Sequence, residues 1–305
     1  MLYTEESTVP GNLGLPRAKA SLIHSSKVVW SFGVSSLVTF VIPLRSPQSS
    51  KNWEDVLDRL DETARSIENM HRECSDVRAI LVATDDAVLR ALPICFEVVR
   101  TDLPPPSVSV FHGDCDERVR VDAVRWDKGY KVALGMIRAR EAGSKFVMCV
   151  DADDLLSKQI PALVRQNANA FGWYISKGWI LPLKSKWGIL LQDFHNWCGT
   201  HAIVRTDLLP LADHVDDIEP ELVKRLFGHH RDLIPYLENK ETPLTPINFY
   251  AAVYCVDNPG SNYGRGSLRA TFFQPRKLFS EPRSFMKWLL RLRYFGRKER
   301  AMFLG

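Results

Sequence analysis

Asp151, Asp153 and Asp154 follow directly on an apolar run, Phe146–Val150 (FVMCV), and no other residues of this chain are better placed by type and spacing to do chemistry. Side chains two apart on an extended strand face the same side, so at its end the carboxylates of Asp151 and Asp153 can converge on one point. Adjacent carboxylates are hard oxygen donors, suited to Mg2+ or Mn2+ rather than to zinc or copper. A divalent ion held there would bridge a diphosphate and neutralise the charge that grows as the diphosphate leaves. The plainer alternative is a solvated turn that caps the next helix, since short acidic triplets are common. The wholly apolar run before the acids favours the first reading, because ligands of open α/β sheets bind at the carboxyl ends of strands.

Alternating strands and helices must position those acids. Leu37–Leu44 (LVTFVIPL) is a β-branched apolar run closed by Pro43, suited to a strand covered on both faces. Trp53, Val56, Leu57, Leu60, Ala64, Ile67 and Met70 recur at three- and four-residue steps, the period of an amphipathic helix. Asn52 and Asp55 offer that helix a capping pair, and Glu54 and Asp55 suit the positive end of its dipole. Val77–Thr84 (VRAILVAT) is a second strand, ending in Asp85-Asp86. Strand, helix, strand predicts a parallel pair with a right-handed crossover. A third short run, Ile94–Val99, precedes Pro104-Pro105-Pro106, which must be loop or extended chain.

The pattern then predicts a helix over Tyr130–Ala142 stopped at Gly143, the strand Phe146–Val150, and a helix from near Ser157 to near Gly172. Beyond Phe171 the periodicity loosens around Trp173, Trp179, Trp187 and Trp197, and Ala202–Arg205 and Phe249–Val256 are the clearest strands. No internal repeat is visible. The expected organisation is an arm over residues 1–31, one domain over 32–275 and a tail over 276–305.

With 305 residues, 45% hydrophobic and 25% charged, the chain has the composition of a folded globular protein, which excludes disorder, collagen and coiled coil as its main structure. Forty Lys and Arg against 36 Asp and Glu is too even a balance for a nucleic-acid binder, and no nucleic-acid partner is expected. The six cysteines include no CxxC pair and are expected to be reduced core residues of a cytoplasmic protein. Leu37–Leu44 falls far short of the ~20 apolar residues that span a bilayer, and no secretory leader is expected.

Residues 283–300 carry seven basic residues against one acid, more than the whole chain's net charge of +4. Phe285, Met286, Trp288, Leu289, Leu290 and Tyr294 are interleaved with them. A basic amphipathic stretch can lie on an anionic membrane, which would make the protein peripheral at the inner membrane face. The equal alternative is a terminal helix packed on the domain through Trp288, Leu289 and Leu292.

The order of VIPLR (Val41–Arg45), a helix, a strand ending at Asp85, Asp127-Lys128-Gly129-Tyr130 and FVMCVDADD resembles a GT-A fold glycosyltransferase, and is most similar to family 2. The resemblance covers roughly residues 37 to 265. It implies an α/β fold: a Rossmann-like, mostly parallel sheet flanked by helices, a less regular acceptor side, and here a C-terminal basic helix. It also implies a nucleotide-sugar donor across the strand ends, with a saccharide or lipid-linked acceptor. By that analogy Pro43 and Arg45 flank the nucleoside, Asp85 faces the base, Lys128 lies near the diphosphate, and Asp153 with Asp151 holds Mn2+ or Mg2+.

Trp197–Arg205 (WCGTHAIVR) resembles the family's Gly-rich acceptor segment. Family 2 enzymes usually follow it with a Glu-Asp pair that supplies the base, and this sequence has none. Asp216-Asp217 with Glu219, and Gly228-His229-His230-Arg231, are the nearest substitutes. An inverting displacement must take a proton from the acceptor hydroxyl, and a carboxylate or a neutral imidazole serves. Asp217 and His229 are therefore the candidate bases, and His230 is a candidate metal ligand. The polar loop Val256–Arg265 could close over the donor, with Asn262 and Arg265 on phosphate oxygens.

A sugar-phosphate nucleotidyltransferase would need a Gly-rich loop after the first strand, where Arg45-Ser46-Pro47-Gln48 has no glycine. The non-enzyme alternative is a catalytically degenerate GT-A domain that binds a sugar or a partner.

Overall fold

The computed structural model describes residues 36–106, 115–256, 280 and 282–305. The expected N-terminal arm and the loop carrying Asn262 and Arg265 lie outside them.

The first half is the alternating unit that the sequence predicts. Strand β1 (Val38–Pro43) leads into helix α1 (Trp53–Glu73), β2 (Val77–Thr84) and β3 (Phe96–Thr101). Helix α2 (Glu117–Glu141) and β4 (Phe146–Cys149) complete it. β4, β1, β2 and β3 lie side by side, all parallel, with Val41 opposite both Ile80 and Cys149. β1, β2 and β4 are almost wholly buried, as strands covered by helices on both faces must be, while the edge strand β3 is half-exposed. α1 packs Leu60, Ala64, Ile67 and Met70 on one face of the sheet. α2 packs Tyr130, Ala133, Met136 and Ile137 on the other. Asn52 caps α1 by accepting the Glu54 N–H at 3.1 Å, one residue earlier than the Asn52–Asp55 pairing predicts.

α2 begins a dozen residues before the Tyr130 start that the pattern predicts. Its first half, Glu117–Asp127, is largely polar and half-exposed, so no apolar stripe marks it. Gly143 ends the helix as expected, at φ +74°.

The second half is built differently. After the two-residue β5 (Leu155–Leu156), helix α3 is only Ile160–Gln166, shorter than the helix expected to Gly172. Gly172, at φ +144°, opens strand β6 (Gly172–Pro182), followed by β7 (Trp187–Leu191) and β8 (Ala202–Arg205). A helical turn at Pro220–Leu222 runs into a π-helix at Val223–Phe227, then α4 (Leu233–Asn239) and β9 (Thr245–Val256). β8 joins β4 antiparallel, β6 pairs antiparallel with β7 and β8, and β9 lies parallel to β6 and antiparallel to β5. The sheet is therefore mixed, its parallel character concentrated in the first half and the β6–β9 pair.

The tail is more than one helix. α5 (Pro282–Arg291) runs into β10 (Leu292–Tyr294), which pairs antiparallel with β7 at the sheet edge, and then α6 (Arg297–Phe303). Phe295, 1% exposed, anchors it edge-on against Trp179 and beside Phe303. No helix among the described residues is long and apolar enough to cross a membrane.

Candidate active site

The acidic turn sits where β4 ends, and both of its sides are fixed. Val150 N–H bonds the Val41 carbonyl at 2.9 Å, holding the turn beside the end of β1. From α1, the buried Thr63 hydroxyl reaches the carbonyls of Ala152 (3.0 Å) and Asp154 (2.9 Å). From the opposite side Thr200 accepts the Asp151 N–H at 2.9 Å and donates to Asp154 at 2.5 Å. Asp154 N–H closes the turn on the Asp151 carbonyl at 3.1 Å.

The three acids have different surroundings. Asp154 is fully buried and also accepts from Cys198 Sγ (2.9 Å) and Cys255 N–H (3.2 Å). Burial, then the neighbouring Asp153 and Asp151, hold its carboxyl well above the usual carboxylate range. Asp151 and Asp153 are half-buried and border the cleft. Lys128 Nζ, from α2, donates to Asp151 Oδ1. Gly199 lies over that pair: a Cβ there would stand 2.6 Å from both Asp151 Oδ2 and Lys128 Nζ, so a larger residue would have to displace the pair. Arg45, just past β1, is partly desolvated, which opposes its charge; Asp153 and Asp127 offset that cost. Gly129 serves packing, since a Cβ there would meet the Val223 carbonyl of the π-helix at 2.7 Å.

Histidines line the other wall. A pocket behind Lys128 is lined by apolar residues such as Met136, Val147 and Leu226, with Gly199, His201, His229 and His230. His201 Nδ1 donates to the Gly199 carbonyl at 2.8 Å, which leaves Nε2 as a buried lone pair with no protein partner. Burial foremost, then the positive field of His230 and Lys128, pushes His201 down to about 3. His230 bonds the Asn196 carbonyl through Nε2 at 3.3 Å, and burial pushes it down to about 4. His229 is lowered too, by burial and by Arg125. Its Nδ1 stands 3.6 Å from Asp232 Oδ2, too long for a hydrogen bond but close enough to orient the ring. All three imidazoles are therefore neutral near pH 7.

Pro43 ends β1 and Arg45 follows it, Asp85 follows β2 and is exposed, and Asp151 and Asp153 follow β4, all at one end of the parallel strands. Lys128, which bonds Asp151, also lines the histidine pocket, as do His229 and His230. Asp217 does not. It ends a short helical turn, Val215–Asp217, where it is exposed; like Asp151 and Asp153 it is not among the residues lining the histidine pocket, and unlike them it has no contact with Lys128 or Arg45 among the described residues.

Asp151, Asp154 and Cys198 lie close enough for one ligand atom of each to share a metal ion. Their chemistry divides them. Burial raises the Cys198 thiol well above its ordinary value, so it stays protonated and donates to Asp154 rather than offering a thiolate. Asp154 is already saturated by three donors. The donors that fit a hard cation are the half-exposed carboxylates of Asp151 and Asp153. Sequence reasoning missed Asp154 as a structural acid, together with Thr200 and His201. The Cys-Gly-Thr-His run was visible, but its contact with the acids spans over 40 residues.

Fold and site define an α/β protein in which carboxylates, cations and neutral imidazoles converge at the carboxyl ends of parallel strands. No family and no curated protein matches the sequence. Among solved structures, TarS of S. aureus (residues 1–349) is similar at 13% identity and a TM-score of 0.37, over 72% of this chain and 60% of that one. The chain thus spans about 60% of the TarS structure. A candidate nucleotide-diphospho-sugar transferase from Desulfovibrio desulfuricans G20 is similar at 10% identity and a TM-score of 0.31, over 82% of this chain and 98% of that one. Likenesses at this level leave the functional reading to the site itself.

Proposed function

We propose that the protein is a divalent-metal-dependent, inverting glycosyltransferase of GT-A type, moving a sugar from a nucleoside diphosphate to a saccharide or lipid-linked hydroxyl. The observation that carries this reading is the pairing of two half-exposed carboxylates, Asp151 and Asp153, with two cations, Lys128 and Arg45, at the carboxyl ends of adjacent parallel strands. Such a site suits a ligand whose own charge is negative and which brings a counter-cation with it.

Asp151 and Asp153 would hold Mn2+ or Mg2+, which supplies positive charge to the leaving diphosphate. Arg45 and Lys128 bind phosphate oxygens, and Lys128 exchanges its bond to Asp151 for them. Pro43 and Asp85 border the nucleoside. His229 takes the acceptor proton at Nε2, and Asp232, near Nδ1, steadies the imidazolium that forms. A neutral imidazole fits that task at pH 7, and the sequence has no Glu-Asp pair to supply it.

The same missing carboxylate favours the alternative, a GT-A domain that binds a nucleotide sugar without transferring it. Donor hydrolysis separates the two. Wild-type protein with Mn2+ should release nucleoside diphosphate from a matching nucleotide sugar, and Asp153→Ala should reduce that release at least a hundredfold. Donor binding without release, in wild type, would support the alternative.

A further inference from the structure

We propose that α5, with the aromatic pair at the β7–β10 edge, docks the protein on an anionic membrane surface. At 100° per residue, Met286, Leu289 and Leu290 form one stripe of α5, and they are 47%, 44% and 67% exposed. Arg283 and Lys287 run beside that stripe and are exposed. The opposite face is spent on packing: Trp288 meets Trp197 edge-on at 6.0 Å, and Leu292 joins the main core. The helix therefore holds two apolar faces, one used by the fold and one turned outward.

Trp187 and Tyr294 continue the outward surface. They lie opposite each other on β7 and β10, ring to ring at 5.6 Å, and remain more than half exposed. α5 contacts β7 directly. Arg297 and Lys298, which follow in the chain at the start of α6, are exposed. Glu299, the one acid of the segment, is occupied by the Gly296 N–H at 3.0 Å.

An apolar stripe rimmed by cations and extended by amphipathic aromatics complements an anionic lipid surface: apolar side chains enter the headgroup boundary while the cations meet lipid phosphates. A second copy of the chain fits less well, because a twofold contact would set one basic rim against another. Trp197 adjoins Cys198 and Gly199, so docking through α5 would bring the membrane beside that side of the cleft. Only this last consequence, delivery of a lipid-linked acceptor, rests on the transfer reading; docking itself needs no nucleotide sugar.

Sedimentation of the full chain with vesicles tests the proposal. Vesicles of phosphatidylcholine alone are compared with equal parts phosphatidylglycerol and phosphatidylcholine, for wild type, Arg283→Ala/Lys287→Ala and Leu289→Glu/Leu290→Glu. Thermal unfolding verifies that each variant folds. Wild type should partition onto anionic vesicles and hardly onto neutral ones. At ~1 kcal/mol per cation the basic double variant should lose on the order of thirtyfold in partition, and the glutamate variant at least as much. No anionic preference in wild type, or variants that fold and bind like wild type, would overturn the proposal. So would a concentration-dependent dimer that Leu289→Glu/Leu290→Glu dissolves without any effect on vesicle binding.

Discussion

The acid wall of the cleft is one turn, Asp151–Asp154, at the end of a single strand, whereas the histidine wall joins Gly199–His201 to His229 and His230 from two distant segments. The acid wall is held by hydrogen bonds, from Thr63 below, from Thr200 beside, and by a backbone closure within the turn. The histidine wall depends on tertiary packing, with its imidazoles held neutral by burial. In the proposed reading, one wall carries fixed charge for a ligand, and the other carries lone pairs for a proton.

If that division of labour holds, damage to each wall should differ in kind. The largest effect is expected from Asp153→Ala: nucleotide turnover falls at least a hundredfold and Mn2+ loses its influence on it, while the urea midpoint barely moves. His229→Ala should reduce turnover ~100-fold and leave the Kd for nucleoside diphosphate within twofold, since loss of a general base costs about 10²–10⁴ in rate. Asp217→Ala, on an exposed turn outside the pocket, should change turnover less than twofold. A large loss there would move the base to the carboxylate and break the comparison.

Stability sharpens it further. Asp154→Ala strips an acceptor from Thr200, Cys198 and the Cys255 N–H, all buried, and should cost about 3 kcal/mol in urea denaturation. On the histidine wall the dependence is on pH. His201, about 3 in the folded state against 6.5 as its ordinary value, binds its proton more readily when unfolded. Stability is therefore complete above pH 6.5 and falls as pH drops towards the folded value, by on the order of 3 kcal/mol at about pH 4. His201→Gln, which keeps a hydrogen-bonding side chain but cannot titrate, should flatten that slope. Among variants that touch the acid pair, the smallest effect is expected from Gly199→Ala: its Cβ crowds the Lys128–Asp151 pair and should weaken nucleoside diphosphate binding about tenfold with little loss of stability.

The same two walls explain what could be read from the sequence. β1, β2, β4 and α1 are marked by apolar runs and a helical period because both faces of a parallel strand must be covered. The acids follow β4 with no intervening turn, so their place at the sheet's edge was visible in order alone. β6 and β7 escaped notice because Lys177, Gly178 and the tryptophans break any alternation, and their pairing is settled by strands far away in sequence. The first half of α2 escaped because its apolar residues, Val119, Val121, Val124 and Trp126, are mostly half-exposed and interleaved with charges, forming no buried stripe. The structural role of Asp154 was not legible, because Thr200, Cys198 and Cys255, which enclose it, are distant in the chain.

The central claim is that Asp151 and Asp153 together receive a metal-bound nucleoside diphosphate. The direct measurement is anomalous diffraction at the manganese edge from a crystal soaked with Mn2+ and UDP or GDP. The account predicts one manganese peak within coordination distance, about 2.2 Å, of oxygens from Asp151 or Asp153, with diphosphate oxygens on its other side and Lys128 turned onto the phosphates. Nucleotide density elsewhere on the protein, with both carboxylates facing away from it and Lys128 still on Asp151, would contradict it.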